Sequence, residues 1–439
     1  VCLGLVTTSA IVAAQQGQTP AAPKRLEPGP MAPVTTGTTR TFSKDVAPIL
    51  YKHCTGCHRP GTVAPMSLLT YKDARPWAKS IRDKIVDGEM PPWHADPKIG
   101  RFANARMLTE AERETLVGWA NTGSREGDPA DLPKAPAYAD GWSIGKPDLV
   151  ARMEKPYEVP ADGVIEYQWF SFPTNLTEDK WIKSMEIRPG DATVVHHVLA
   201  YAWSPDMPPR QRLVRVDEAF ATPSSRSSTD KPIGAFLMVV ASGTGAYTFP
   251  QGSGRLLRKG TVITFQMHYT TNGTATRDQT EIGFVFAKEP PPSEMRAAFF
   301  SNARFTIPPG VDNHRIDAEA TFLEDVKMWS LFPHTHLRGK RYEYRLVYPD
   351  GRNDLVLSVP KYDFEWQTEY HFAEPLSVPK GTKIVGSAWY DNSANNRFNP
   401  DPKAEVKWGD QTWEEMMFNV VSFTADTQAA PTAARAAGQ

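Results

Sequence analysis

Residues Val194 to Trp203 read VVHHVLAYAW, a β-type run in which two adjacent histidines sit among apolar residues. Runs of the same kind recur at Thr261–Tyr269, Ile282–Phe286, Tyr342–Val347, Lys383–Trp389 and Phe418–Phe423, each bounded by Pro, Gly, Asn or Asp clusters. That spacing predicts antiparallel sandwiches rather than βαβ units. The stretch is too long for one simple sandwich. A split at Pro290-Pro291-Pro292 gives a first sandwich over 148–290 and a second over 291–426. The 39 prolines in 439 residues, well above the usual ~5%, suit strands joined by many turns.

Upstream, residues 41–126 change character and predict a small all-α domain. Val46, Ile49, Leu50 and Tyr51 lead helically into CTGCH, Tyr71 to Val86 is a second helical stretch, and Thr109 to Glu112 is a capping box opening a third. Pro-rich linkers flank this domain at 15–40 and 127–147. A flexible linker of about 20 residues would span around 25 Å. Residues 1–14 read as the remnant of an export signal, with Val12-Ala13-Ala14 before Gln15-Gln16 as the cleavage site. Cys2 leaves with that signal or, alternatively, serves as a lipid anchor. The tail 427–439 reads as disordered. Lys and Arg number 49 against 50 Asp and Glu, which argues against a nucleic-acid partner. No apolar run is long enough for a transmembrane segment.

Cys54-Thr55-Gly56-Cys57-His58 has the C-x-x-C-H pattern of c-type haem attachment, in which two thiols each bond a vinyl group and the adjacent His meets the iron. A redox dithiol would need a βαβ setting and a zinc site a second Cys pair; the sequence offers neither. Met90, in GEMPPW, is the candidate second axial ligand because prolines pin its loop; Met66 and His94 are its rivals. His94 reads as exposed and Met66 as core. The segment resembles the small bacterial class I cytochromes c, in which a Met-Pro-Pro loop supplies that ligand.

Five of the ten histidines fall in three β-type contexts: His196 and His197, then His268 in QMHY, then His334 and His336 in PHTHL. On a regular strand residues i and i+2 share a face, so His334 and His336 can converge on one metal. Adjacent residues point to opposite faces, so His196 and His197 can do so only through a bulge, a strand end or different ring nitrogens. A thioether beside imidazoles points to copper, and Met416 and Met417 are the candidates, although such methionines are more often core filler.

The succession HH, Q-x-H-Y, H-T-H-L-x-G-K and G-x-x-T-x-x-E-M over 150–426 resembles the copper type II, ascorbate-dependent monooxygenases, the dopamine β-monooxygenase and peptidylglycine α-hydroxylating monooxygenase family. The resemblance implies an electron-transfer copper on His196, His197 and His268, with Gln266 nearby, and an oxygen-activating copper on His334, His336 and Met416. Met417 stands where that family usually has Cys. Phe332 stands where peptidylglycine enzymes carry a carboxylate-binding Arg, which argues against a peptide C-terminus as substrate. Trp329 and Phe332 suit an apolar substrate or a core.

The combination implies a periplasmic or secreted copper monooxygenase. It would hydroxylate a C–H bond of a small organic substrate with O2, drawing electrons through the fused haem c and, ultimately, from an external reductant or redox protein. The alternative is a non-catalytic periplasmic electron-transfer or copper-binding protein. Expected cofactors are one haem c and two coppers per chain.

Overall fold

The computed structural model describes residues 40–426 except 63, 139–140, 205–213, 217–234 and 242–244. The signal-like start, the 15–40 linker up to Thr39 and the 427–439 tail lie outside them. Strands predominate, and the described helices gather before Leu132, apart from one short turn at Phe364–Trp366. No helix among the described residues is long and apolar enough to cross a membrane.

A π-helical turn, Phe42–Val46, runs into the helix Ala47–His53; Tyr71–Ala74, Ala78–Val86 and Glu110–Asn121 follow. The second predicted stretch is broken by a tighter turn at Arg75–Trp77, where Pro76 has no N–H to give an α-helical ladder. The capping box forms as read: Glu112 N donates to Thr109 Oγ1, and Thr109 N donates to Glu112 Oε2 at 2.8 Å. Phe42, Leu50, Leu116 and Trp119 are central to the buried cluster these helices share.

Two β-sandwiches follow. In the first, a sheet ordered Leu149–Arg152, Glu281–Phe286, Lys180–Arg188, Ser253–Leu257, Ser293–Glu294 packs on a sheet ordered Gln168–Pro173, Val262–Tyr269, Val195–Trp203, Ala235–Ala241. In the second, the order Arg296–Ser301, Phe418–Ala425, Val326–His334, Tyr370–Val378 faces Asn353–Val359, Gly339–Val347, Lys383–Tyr390, His314–Phe322. Val214–Val216, from the stretch assigned by sequence to the first sandwich, pairs with Ala320–Phe322 and so extends a sheet of the second.

The apolar continuity of VVHHVLAYAW has a physical cause. Val198, Ala200 and Ala202 enter the first sandwich's core, whereas Leu199 and Tyr201 face outward into a separate cluster with Phe236, Phe332 and Val420. The strand is therefore buried on both faces, which removes the polar alternation of a half-exposed strand. The same period-2 logic puts Ile263, Phe265 and Met267 inward and turns Gln266 and His268 toward the other sandwich. Between them the two sandwiches bury a seam, and the histidines lie along it.

The stretch 127–147 is fastened, through Tyr138, Ser143 and Ile144, to the chain on either side of it. Tyr138 Oη lies 2.5 Å from Thr55 Oγ1 with Arg59 over the Tyr138 ring, while Ser143 N and Ile144 N donate to Glu186 Oε2 at 2.6 and 3.1 Å. The chain after Met90 is also docked. Asp96 N donates to Ser358 O, Ala103 N to His371 O and Ala373 N to Arg101 O, each at 2.8 Å. Trp93 and Phe102 pack their rings on Tyr370. His94, read as exposed, is only 9% exposed because this docking covers it.

Candidate metal centre

His197 and His268 are direct cross-strand partners, and the ladder slips at the next step, where Tyr269 pairs with Val195. His196 is the extra residue. This bulge is the device the sequence required: it lets two adjacent histidines turn to one side. His196 Nδ1 lies 3.0 Å from His197 Nδ1 and 3.2 Å from His268 Nδ1. Two imidazole nitrogens bound to one ion at about 2.0–2.1 Å and a tetrahedral angle stand about 3.3 Å apart, so the spacing suits a shared metal. The three rings form a group able to hold an ion.

His334 ends the strand Val326–His334, on the side of Phe332, and His336 lies just past it in the turn before Gly339. The expected i, i+2 strand geometry is thus replaced at His336 by a fixed loop; the two rings still meet at 5.2 Å between centroids. His334 Nδ1 is 2.7 Å from Gln367 Oε1 and His336 Nδ1 is 3.3 Å from the Glu414 carbonyl. Each Nδ1–H donates to an oxygen, which leaves each Nε2 with a free lone pair. His336 Nε2 is buried without a partner. An orphaned acceptor of this kind fits a metal ligand.

The two sets adjoin across the seam, with the His197 and His334 centroids 6.5 Å apart. Phe364, from the second sandwich, stacks on His196 at 5.3 Å and 19°, and Tyr167, from the first, meets His268, His197 and His336 edge-on. Burial holds the rings neutral. His196 and His334 are lowered to about 4 and His268 to about 3, and His197 and His336 fall well below the ordinary value, with desolvation the leading cause each time. Neutral imidazole is the metal-binding form.

Met416 is half-buried, with its N–H on Glu415 Oε2 at 3.2 Å and its carbonyl on Tyr390 Oη at 2.7 Å. It follows two residues that both touch His336, since Glu415 Oε2 accepts from His336 N at 2.8 Å. Met417 is core: its sulfur takes contacts from Tyr342 Oη and Asn419 Nδ2. Phe332 is buried in the seam and Trp329 packs against the first sandwich's core. Gln266 is buried on the His268 side of its strand.

The Cys54–His58 motif follows the helix that closes at His53, and Cys57 N and His58 N both return to Cys54 O, at 3.0 and 2.9 Å. Both cysteines are free, and burial pushes the Cys54 thiol up to about 12, with Cys57 adding to the effect. His58 Nδ1 is buried and unpaired, and burial lowers that ring's pKa. Two thiols one turn apart beside an unpaired imidazole fit a c-type haem. Met66 packs half-buried on the helical cluster; Met90 is half-buried, its N–H on Lys84 O.

Sequence reasoning missed Tyr167, Phe364 and Gln367, which carry no local signal because each reaches the histidines from a distant part of the chain; Glu415 stood in the G-x-x-T-x-x-E-M motif without its contact to His336 being foreseen.

No family model matches the chain, and no curated protein does. Solved structures similar to it include the major capsid protein P2 of bacteriophage PM2, with 8% identity, 63% of this chain and 96% of that one covered, and a TM-score of 0.28. Allantoicase follows at 11%, 55%, 83% and 0.18, and a fucolectin from striped bass (Morone saxatilis) serum at 7%, 60%, 83% and 0.16. At such scores these likenesses carry no argument.

Proposed function

We propose that the chain is an exported copper-dependent monooxygenase that hydroxylates a C–H bond of a small organic substrate with O2, with electrons delivered through a fused c-type cytochrome domain. The observation that carries this reading is the nest of five neutral imidazoles along the seam, with the lone pair of His336 Nε2 unclaimed. His196, His197 and His268 would hold one copper, and His334, His336 and Met416 the other. Cys54 and Cys57 would attach haem c, and His58 and Met90 would hold its iron. These groups would supply one-electron transfer and O2 activation. The chain's own residues do the rest: Gln367 and the Glu414 carbonyl fix which ring nitrogen faces inward, Glu415 ties the His336 loop to Met416, and Phe364 and Tyr167 exclude water from the rings.

One observation favours the non-catalytic alternative, an electron carrier or copper-binding protein. His197 and His336 are 1% and 0% exposed, with Phe364 and Tyr167 against the rings, which suits electron transfer better than entry of a substrate.

Metal analysis of the exported, copper-replete protein should give two coppers and one iron per chain. His197→Ala and His334→Ala should each lower copper while the haem spectrum stays unchanged. Zinc in both positions, or copper content indifferent to both substitutions, would sink the copper reading. Cys54→Ser with Cys57→Ser should abolish covalent haem, read by haem stain after denaturing electrophoresis, and leave copper bound. Retained stain would show that these thiols do not attach haem. Faster O2 uptake by the reduced protein on adding organic substrates separates the oxygenase from the carrier; uptake indifferent to every addition supports the carrier.

A further inference from the structure

Two polar atoms in the seam lie on neighbouring rings, and among the described residues neither has a partner. One is His336 Nε2, from the second sandwich. The other is the hydroxyl of Tyr167, which enters from the first sandwich just before the strand Gln168–Pro173. Tyr167 is 9% exposed, and its ring meets the His336 ring edge-on at 6.4 Å between centroids. A phenol donor and an imidazole acceptor can bond each other, yet these two do not. Leaving both unmade in a buried place is costly, so each marks a missing partner.

One occupant answers both. A metal on His336 Nε2 takes the lone pair, and a metal with three protein ligands keeps a fourth position for an outside ligand. An acceptor atom in that position would take the Tyr167 O–H. Burial, then Tyr362, Asp410 and Glu415, hold the phenol well above its usual range, so it stays a donor. Asp410 and Glu415 belong to the stretch that carries Met416, which sets the hydroxyl beside the second group of ligands. In the first group the Nδ1 atoms already face one another, at 3.0 and 3.2 Å.

We propose that the Tyr167 hydroxyl donates a hydrogen bond across the seam to the outside ligand of the His334–His336–Met416 metal, a small acceptor such as an anion or O2. This rests on the copper reading above, and it gives the first sandwich a direct part in what the second sandwich's metal binds.

The probes are azide on the oxidised, copper-loaded full chain, followed by its charge-transfer band with Cu(II), and carbon monoxide on the reduced chain, followed by its infrared stretch. Tyr167→Phe, which keeps the ring, should weaken azide about tenfold or more, the equivalent of the ~1.5 kcal/mol or more of a hydrogen bond to a charged group. Carbon monoxide accepts hydrogen bonds poorly, so its affinity should not change; a merely disturbed pocket would weaken both ligands. In His334→Ala, which depletes the second copper, the azide binding that depends on Tyr167 should vanish. Azide affinity unchanged in Tyr167→Phe, carbon monoxide weakened in step with azide, or Tyr167-dependent azide binding that survives His334→Ala would each overturn the proposal and leave the copper reading standing. A chain that takes up no copper would overturn both.

Discussion

Glu415→Ala destabilises the fold by about 3 kcal/mol or more, because it strips three backbone N–H groups of their acceptor. The carboxylate is fully buried, and its two oxygens take three backbone donors: His336 N at 2.8 Å and Met416 N at 3.2 Å on Oε2, Arg338 N at 2.6 Å on Oε1. Truncation leaves those N–H groups without acceptors, at about 1–3 kcal/mol for each that water cannot reach. The Arg338 guanidinium is held by Asn392 Oδ1 and the Trp413 carbonyl, at 2.8 and 2.9 Å, and these bonds survive the truncation. Glu415→Gln keeps one acceptor but faces the other N–H groups with an amide donor, so it should fall between the two. Urea unfolding of metal-free protein measures this. A loss under 1 kcal/mol for Glu415→Ala would show that the two loops hold together without the carboxylate.

Metal-free protein should lose stability steeply as pH falls below about 6.5. His196, His334 and His268 have folded values near 4, 4 and 3, depressed mainly by burial. Their unfolded forms bind protons first, so the stability each contributes is present above about 6.5 and drains away as pH drops toward its folded value. Each ring adds a slope of about 1.4 kcal/mol per pH unit, about 4 for the three. Glu415 works the other way. Burial raises it to about 8, so its contribution is full below the ordinary carboxylate value and is lost as pH rises through 8. Between pH 6.5 and 4.5 the histidines, with His197 and His336 lowered in the same direction, outweigh Glu415, so stability falls as pH drops. Bound copper should delay the loss, since it competes with protons for the same lone pairs. Denaturation midpoints that stay level from pH 7 to 5 would contradict this.

Local rules carried much of the architecture. The strand runs, the Thr109–Glu112 capping box and the need for a bulge at His196 all follow from period-2 or first-turn chemistry, which lies within a few residues. The shell around the histidines does not. Gln367 meets His334 across 33 residues with no spacing that announces it, and the Glu-Met step that contains Glu415 gives no sign that its carboxylate reaches the His336 backbone across 79. Phe364 looks like any aromatic residue until the seam closes over His196. Composition also misled in one place. A Pro-rich stretch reads as a loose tether, but Tyr138 and the Ser143–Ile144 backbone fasten it to the chain on either side. His94 changed from exposed to buried for a related reason, because its segment adds to the edge beside Tyr370.

The bulge at His196 also sets stability and chemistry against each other in the laboratory. Deleting that single residue would let Val195 pair onward in an unbroken ladder, and every side chain beyond the deletion would keep its present face. A library sorted only for heat tolerance or expression would reward such deletions, since regular pairing satisfies more backbone groups. The winners would be sturdier scaffolds with two imidazoles where three now meet. Directed evolution of this chain therefore needs a metal-dependent selection from its first round.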